Sequence, residues 1–319
     1  MDEAELVAAA RRGDHGAFER LVSGHRRELH AHCYRMLGSV QDAEDAVQEA
    51  LLAAWRGLGG FAGRSSTRTW LYRVATNVCL RVASRRPPRV LSPDYGPART
   101  DTADLGELVT GPVWLEPWFD DDPAERYLRR ESVELAFVAA LQHLPGTQRA
   151  VLILREVLQF SAAEVAAILD TSVPSVNSAL QRARKTVDDR LPETAQRDEL
   201  AATDSGVLVD KLVAAWERAD VDGLRELLTE DARFTMPPLP AWFDGRDAVL
   251  AFFADRVFET PWRLTPTRVN GQPGLVCLQG REGGFALSGV NVLTLRSGRI
   301  SEITAFLDPA LHRFFAGDR

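Results

Sequence analysis

The spacing of apolar residues along the chain changes at two places. From residue 4 to about residue 85, and again from 124 to 190, apolar residues recur every three or four positions, which predicts amphipathic helices. Between these stretches the pattern fails across seven prolines, from Pro87 to Pro123, so this segment is predicted to be a linker. The group from Trp114 to Trp118 is too apolar for a solvated tether, and we expect it to dock on a neighbouring domain.

A different pattern follows a polar segment at residues 192–205. Two short helical patterns come first, and apolar and polar residues then alternate in several runs, which is typical of strands. Helices followed by antiparallel-looking strands predict an α+β domain. The predicted organisation is a first all-α domain at 1–90, a proline-rich linker at 91–125, a second all-α domain at 126–191 and an α+β domain at 203–319.

Residues 161–187 have the pattern of a helix-turn-helix. Ser161 and Glu164 form a capping box, and Pro174 suits the first turn of the next helix. Small polar residues at the start of that helix and basic residues further along are typical of a recognition helix in the DNA major groove. The alternative is an ordinary helical hairpin with a basic solvated face. The candidate DNA contacts are Ser175, Ser178, Gln181, Arg182, Arg184 and Lys185.

Between residues 56 and 93 the chain has eight arginines and no acidic residue. The same stretch has Phe61, Trp70, Tyr72 and a glycine-rich loop at 57–63. Basic charge binds phosphates, while aromatic rings and a flexible loop can accept an unstacked base, so the pattern favours binding of single-stranded nucleic acid. The alternative is that Trp70 and its apolar neighbours form a core stripe.

Acidic residues crowd the start of the preceding helix, at Asp42, Glu44, Asp45 and Glu49. They either complement the helix macrodipole or form a face that binds a partner. The whole chain has a net charge of −7, which argues against a free, nonspecific DNA-binding protein.

Other classes of protein are disfavoured. Three scattered cysteines without a C-x-x-C pair predict neither a disulfide framework nor a zinc site, and a cluster of His25, His30, His32 and Cys33 lacks further ligands. The start of the chain lacks the apolar core of a signal peptide, and no apolar run is long enough for a membrane span. We therefore expect a cytoplasmic protein without membrane association, metal or cofactor.

Several segments, in this order, resemble the extracytoplasmic-function (ECF) class of bacterial RNA polymerase sigma factors of the sigma-70 family. They are Asp42-Ala43-Glu44-Asp45-Ala46-Val47-Gln48-Glu49-Ala50, Thr69-Trp70-Leu71-Tyr72-Arg73-Val74-Ala75-Thr76-Asn77, Leu144-Pro145 through Gln148-Arg149-Ala150-Val151, and the helix-turn-helix ending Gln181-Arg182-Ala183-Arg184. The resemblance covers about residues 4 to 190. It implies that 1–90 is sigma region 2 and that 126–191 is sigma region 4.

The resemblance also implies partners and roles. The polymerase core would be contacted at the clamp helices of its β′ subunit and at its β flap, and promoter DNA would be bound both double-stranded and melted. The loop from Gly59 to Ser66, with Asn77 behind it, matches the element that takes a flipped minus-ten base. The implied core-polymerase contacts are Asp42, Asp45, Gln48 and Glu49, and the implied minus-ten contacts are Phe61, Arg64, Ser65, Arg68, Trp70, Arg73, Asn77, Arg81 and Arg85. The helix-turn-helix candidates would bind the minus-thirty-five element, and the linker would thread toward the active-site channel.

Residues 203–319 resemble the SnoaL-like, ketosteroid-isomerase-like cone fold, through the run at 300–309, and the whole chain resembles the sigma-factor subgroup with such a fused domain. Enolisation needs a positioned base and oxyanion donors. The domain has no tyrosine, and its candidate acids, Asp231, Asp244, Asp247 and Asp255, lie in no motif. We therefore expect a regulatory domain that docks on the sigma domains, rather than an enzyme.

The interior of the cone is expected to be filled by aromatic residues: Trp216, Phe234, Trp242, Phe243, Phe252, Trp262, Phe285 and Phe306. The alternative function is a small-molecule isomerase, cyclase or ligand sensor that acts through the cone. An anti-sigma protein or a small ligand is a further candidate partner.

Overall fold

A computed structural model describes residues 2–61, 63, 65–119, 134–191, 199–200, 203–309 and 311. The chain forms two compact units: Met1–Arg89 together with Phe137–Arg190, and Val90–Ala136 together with Leu191–Arg319. The described part of the first unit is helical, and the second contains a six-stranded sheet. The predicted fold class, two all-α sigma domains followed by an α+β domain, is confirmed.

The N-terminal half of the helical unit consists of five helices: α1 Glu3–Arg11, α2 His15–Ser23, α3 Arg26–Leu37, α4 Val40–Gly57 and α5 Thr67–Ala83. The side chains of Asp14, Ser39 and Ser66 accept hydrogen bonds from backbone N–H groups in the first turns of α2, α4 and α5, which fixes where these helices begin. Helix α3 ends at Gly38, whose φ of 69° is the left-handed conformation that glycine adopts without strain.

The C-terminal half of the helical unit follows the linker, which contains a single helical turn, α6 Ser92–Tyr95. Its helices are α7 Leu135–Gln142, α8 Gly146–Leu152, α9 Ala162–Ile168 and α10 Val173–Asp188, with a π-helical turn, Ile153–Val157, after α8. The capping box of Ser161 and Glu164 is present at the start of α9, as the sequence predicts.

The second unit contains α11 Ser205–Glu217, α12 Val221–Leu227 and α13 Arg246–Asp255 beside the sheet. The strands are β1 Leu228–Thr235, β2 Trp242–Asp244, β3 Trp262–Val269, β4 Gln272–Arg281, β5 Gly284–Arg296 and β6 Arg299–Phe306. They are ordered β2-β1-β6-β5-β4-β3. A core of buried apolar side chains from the three helices and the strands holds this unit together.

The expectation of a purely antiparallel sheet is wrong at one pair. Strands β1 and β6 are parallel, with Phe234 opposite Ile303, whereas all other adjacent strands are antiparallel. A parallel pair needs a long crossover, and here the crossover is the whole chain between the two strands. The alternation of apolar and polar residues within one strand does not show whether the neighbouring strand runs parallel or antiparallel to it.

Candidate polymerase and promoter interfaces

Helix α4 presents an exposed polar face at its N-terminal half. Asp45, Gln48 and Glu49 are exposed, while Ala43, Ala46, Val47 and Ala50 face the core. The Glu49 carboxylate accepts a hydrogen bond of 2.5 Å from Arg81 of α5. Three of the four predicted polymerase contacts therefore lie on one surface.

The fourth, Asp42, is placed differently. It is 9% exposed and accepts hydrogen bonds from Arg86 and, at 2.5 Å, from Arg89. Burial alone would raise the pKa of the Asp42 carboxyl, but the hydrogen bonds from Arg89 and Arg86 and their charges outweigh it and hold the pKa below its usual value. In this conformation Asp42 fixes the chain where it leaves α5, and its carboxylate is not presented to a partner.

Helix α5 carries a stripe that we name the α5 stripe: Trp70, Arg73, Asn77 and Arg81, of which Trp70 is half-buried and the other three are exposed. These residues are spaced by three and four positions, so they share one face of the helix. Arg85 is exposed just beyond the end of the helix. The stripe combines an aromatic ring, an amide and two guanidinium groups, which suits the bases and phosphates of a single strand.

The loop before α5 is anchored at its start. Phe61 is 9% exposed, and the centre of its ring lies 4.9 Å from that of Trp70. Ser65 is exposed, whereas Arg64 lies outside the described residues. Phe61 is thus a support for Trp70 rather than an exposed ring.

Arg68 does not lie on the α5 stripe. Its guanidinium carbon is 4.4 Å from the ring centre of Phe160 and 5.1 Å from that of Tyr72. Its Nη2 donates to the Leu158 carbonyl at 3.4 Å, and its Nε donates to Glu28 at the same distance. Arg68, a predicted minus-ten contact, is therefore engaged with the C-terminal half of the helical unit in this conformation.

Sequence reasoning assigned no role to Arg149, which joins the two halves of the helical unit. It is buried, and it donates to the Met36 carbonyl at 2.5 Å and to Gln142 Oε1 at 2.6 Å. Burial lowers the pKa of its guanidinium to about 10, so it stays charged at neutral pH. Its charge meets carbonyls at the C-terminus of α3, the negative end of the helix dipole.

Helix α10 matches the buried stripe that its sequence predicts at four of five positions. Val176, Leu180, Ala183 and Val187 are buried, and the opposite face is exposed. The prediction is wrong at Val173, which is 39% exposed in the first turn of the helix. We name this exposed face the α10 stripe: Ser175, Ser178, Arg182 and Lys185. Gln181 borders the stripe and is exposed, whereas Arg184 lies further round the helix and pairs with Glu156 at 2.6 Å.

The linker packs on the α+β unit. The backbone N–H of Trp118 donates to Asn270 Oδ1 at 2.9 Å. The backbone N–H of Asn270 donates back to the Trp118 carbonyl at 2.7 Å. Trp242 Nε1 donates to the Gly96 carbonyl at 2.8 Å. The expectation that the segment from Trp114 to Trp118 docks on a domain is confirmed by these bonds and by the burial of Trp114 and Leu115.

The interior of the α+β unit is aromatic. Phe243 stacks on Phe252 with ring centres 4.4 Å apart, and Trp216 meets Phe253 edge to face at 4.6 Å. Phe285 is an exception to the expected filling, because it is 37% exposed and lies beneath Arg263. Phe285 is the second residue of β5 and lies beside the turn that joins β4 to β5, at the end of the strand rather than over the core.

The four candidate acids of this unit each have a partner. Three of them form ion pairs with arginines: Asp231 with Arg296, Asp244 with Arg233 at 3.1 Å, and Asp247 with Arg225 at 2.6 Å. The fourth, Asp255, accepts a hydrogen bond from Thr102 at 2.9 Å. Sequence reasoning missed Glu302 on β6, where burial raises the pKa of the carboxyl. Its Oε1 accepts a bond of 3.2 Å from Thr304.

The described residues contain neither a cluster that could hold a metal ion nor a helix that could span a membrane. No group of three or more His, Cys, Asp or Glu side chains is placed to hold a metal ion within the described ranges. His32, from the histidine cluster on α3, is buried and bonded to Thr76 at 2.9 Å. None of the described helices has the length and apolar character that a membrane span needs.

Comparison with known proteins agrees with this architecture. Three families match in order: Sigma-70 region 2 at residues 21–86, Sigma-70 region 4 at 134–187 and the SnoaL-like domain at 209–303. The ECF RNA polymerase sigma factor SigG of Mycobacterium tuberculosis is 45% identical over 318 residues, which cover 95% of this chain and 84% of that protein.

Two further relatives are similar over smaller parts or in fold. The RNA polymerase sigma-H factor of Pseudomonas aeruginosa is 34% identical over 59% of this chain and 92% of its own length. The crystal structure of the Mycobacterium tuberculosis extracytoplasmic function sigma factor SigJ superimposes with a TM-score of 0.59 at 23% identity, covering 89% of this chain and 94% of that one.

An acidic helix, a basic helix and a helix-turn-helix within one helical unit, matched by both sigma-70 regions, define a sigma factor of RNA polymerase. The chain belongs to the ECF RNA polymerase sigma factors and carries a C-terminal SnoaL-like domain. Its partners are accordingly the RNA polymerase core and promoter DNA.

Proposed function

We propose that this sigma factor uses three surfaces, of which the first two adjoin at the pair of Glu49 and Arg81. The exposed face of α4, with Asp45, Gln48 and Glu49, binds the clamp helices of the β′ subunit, and region 4 contacts the β flap. The α5 stripe binds the melted minus-ten strand, and the α10 stripe binds the minus-thirty-five duplex. The observation that carries the proposal is the α5 stripe itself, because an aromatic ring, an amide and two arginines on one exposed helix face suit an unpaired strand.

The test compares two arginines in transcription with the core polymerase. Arg73→Ala should lower open-complex formation several-fold while affinity for the polymerase is unchanged. Arg12→Ala removes the same charge from an exposed position outside the stripe, and it should match the wild type. Equal effects of the two variants would show that the stripe has no specific role.

Arg68 contacts DNA in this proposal only after the two halves of the helical unit separate. The guanidinium already lies over Phe160 and donates to the Leu158 carbonyl and to Glu28, so these contacts compete with a phosphate for its position and for two of its donors. We therefore propose that Arg68 holds the two halves of the helical unit together in the unbound protein. The minus-ten contacts are then made by the α5 stripe, Ser65, Arg64 and Arg85.

We further propose that the SnoaL-like domain regulates the sigma factor through the linker. Support comes from the paired bonds between Trp118 and Asn270 and the bond from Trp242 to Gly96, which hold the linker on this domain. A linker held in this way is not free to enter the polymerase channel. A separate anti-sigma protein remains a candidate partner.

Asn270→Gly tests this regulation. Asn270 has a φ of 55°, which glycine keeps without strain, so the variant removes the side chain that accepts from Trp118 without straining the backbone. Hydrogen exchange at the Trp118 amide should rise and transcription should change. Ser297→Gly, at a turn with a φ of 52°, is the matched control. Faster exchange with unchanged transcription would contradict the regulatory role.

The chain acts in this proposal as a cytoplasmic transcription factor and not as an enzyme. The ion pairs of Asp231, Asp244 and Asp247 support this, because an acid held by arginine is a poor general base. The alternative of a small-molecule isomerase, cyclase or ligand sensor rests on Glu302, the acid with a raised pKa. If Glu302→Gln leaves transcription unchanged but abolishes an isomerase activity measured on a ketosteroid, the alternative is correct.

A further inference from the structure

The N-terminal helical hairpin, α1 and α2, contacts the turn that begins the minus-ten loop. Helix α1 and most of α2 precede the part of the chain that matches Sigma-70 region 2, which starts at residue 21. The hairpin is nevertheless packed into the helical unit, since Ala10, Ala17 and Val22 are buried. Its contacts converge on the residues between α4 and α5.

The first contact is a hydrogen bond. The Arg11 Nη2 donates to the carbonyl of Gly59 at 3.0 Å. Gly59 lies in the 3₁₀ turn Leu58–Gly60, directly before Phe61. The turn has a glycine on each side of its first residue and at its end, so its backbone has little stiffness of its own. An external donor can therefore select one conformation of this turn.

The second contact is aromatic. The ring of His15 stacks on Trp55 with ring centres 4.2 Å apart, and Phe18 meets Trp55 edge to face at 5.1 Å. Trp55 belongs to the last turn of α4, immediately before the 3₁₀ turn. The hairpin thus fixes the end of α4 and the turn that follows it.

The opposite end of the same turn is fixed by α5. Leu58 is 2% exposed, and Phe61 packs on Trp70, the first residue of the α5 stripe. Arg11 and Trp70 therefore hold the turn from two sides. The position of the turn Leu58–Gly60 relative to the α5 stripe depends on both.

We propose that Arg11 is a positioning residue for promoter opening: its bond to the Gly59 carbonyl sets the loop in the conformation that receives the flipped minus-ten base. This inference rests on the proposed function of the loop. Because the bond is exposed to water, its net contribution to global stability is small. Its effect is instead local, on the orientation of a glycine-rich turn.

The test uses the full chain with core polymerase and a promoter series in which each base of the minus-ten element is changed in turn. Arg11→Ala should lower open-complex formation about fivefold, the net worth of one typical solvent-exposed hydrogen bond, and should flatten the preference at the flipped base. The thermal unfolding midpoint and the affinity for polymerase should stay at wild-type values. Arg11→Lys, which keeps a donor, should recover part of the preference.

Arg12→Ala is the matched control, since Arg12 is the exposed neighbour at the end of the same helix and its loss changes the charge equally. The inference is overturned if Arg11→Ala and Arg12→Ala have the same base preference. A third variant separates this failure from failure of the proposed function. If Asn77→Ala shifts the preference and Arg11→Ala does not, only the role of Arg11 is wrong; if neither Asn77→Ala nor Arg11→Ala shifts it, the loop does not read the base.

Discussion

The guanidinium carbon of Arg68 in α5 lies over the ring of Phe160, 4.4 Å from its centre, and so joins the half of the helical unit that matches Sigma-70 region 2 to the half that contains the helix-turn-helix. Tyr72 completes the contact, with its ring centre 5.2 Å from that of Phe160. Together with the buried Arg149, these residues make a closed arrangement of the two sigma regions. The contact is a chemical link that a single substitution can weaken.

Phe160→Leu keeps an apolar side chain at this buried position but removes the ring that Arg68 covers. We expect the free energy of unfolding of the helical unit to fall by about 1 kcal/mol. Chemical denaturation of the full chain, followed by one probe in the helical unit and another in the α+β unit, measures this. Phe285→Leu is the control, because Arg263 covers that ring at 4.3 Å on an exposed surface. If both variants lose the same free energy of unfolding, burial of the contact between Arg68 and Phe160 does not strengthen it.

Asp42→Asn leaves two arginines without their carboxylate. We expect the helical unit to lose about 2 kcal/mol of stability, since Asp42 is buried and Arg89 is 9% exposed at its side chain. Asp45→Asn, on the exposed face of the same helix, should change stability by less than about 0.5 kcal/mol. Urea unfolding at neutral pH compares the two. Equal free energies of unfolding for the two variants would mean that other contacts hold the segment that follows α5.

His32 makes the helical unit sensitive to acid. Burial, and then the charge of Arg35, lower its pKa from 6.5 to about 3, so the folded state keeps the ring neutral while the unfolded state binds a proton. Stability is therefore lost as the pH falls from 6.5 toward about 3. We expect this group to cost about 3 kcal/mol at pH 4. His32→Gln, whose amide can still reach Thr76, should show a smaller fall in the urea midpoint between pH 7 and pH 4; an identical fall would exclude His32 as the cause.

Two arginines of α10 should differ in their effect on DNA binding. Arg182→Ala removes a cation of the α10 stripe, and the slope of log affinity against log salt should decrease by about one phosphate contact. Arg184→Ala removes a cation that is already paired with Glu156, and the slope should change less. Binding of the polymerase holoenzyme to a duplex minus-thirty-five element, measured across a salt series, gives both slopes. A larger decrease for Arg184→Ala would mean that the other side of α10 faces the phosphates.

The sequence predicts those parts of the structure that depend on neighbouring residues. The periodicity of Val176, Leu180, Ala183 and Val187 places the buried stripe of α10, and the Ser161 capping box places the start of α9.

The parts that sequence reasoning missed depend on residues that are distant along the chain. Asp42 resembles its exposed neighbour Asp45 until Arg86 and Arg89 are placed beside it. Arg68 resembles the other arginines of its segment until Phe160 covers it. A charge count treats all of these residues alike, because it contains no information about which of them are neutralised inside the fold.

The central position of β6 in the sheet limits when the SnoaL-like domain can fold during synthesis. Strand β6 lies in the middle of the sheet, between β1 and β5, yet it is the last strand of the described chain to leave the ribosome. The sheet therefore cannot close until synthesis is nearly finished, whereas every residue of the helical unit has emerged by Arg190. Each newly made molecule passes through a stage in which the polymerase-binding half can fold while the SnoaL-like domain is still unfinished.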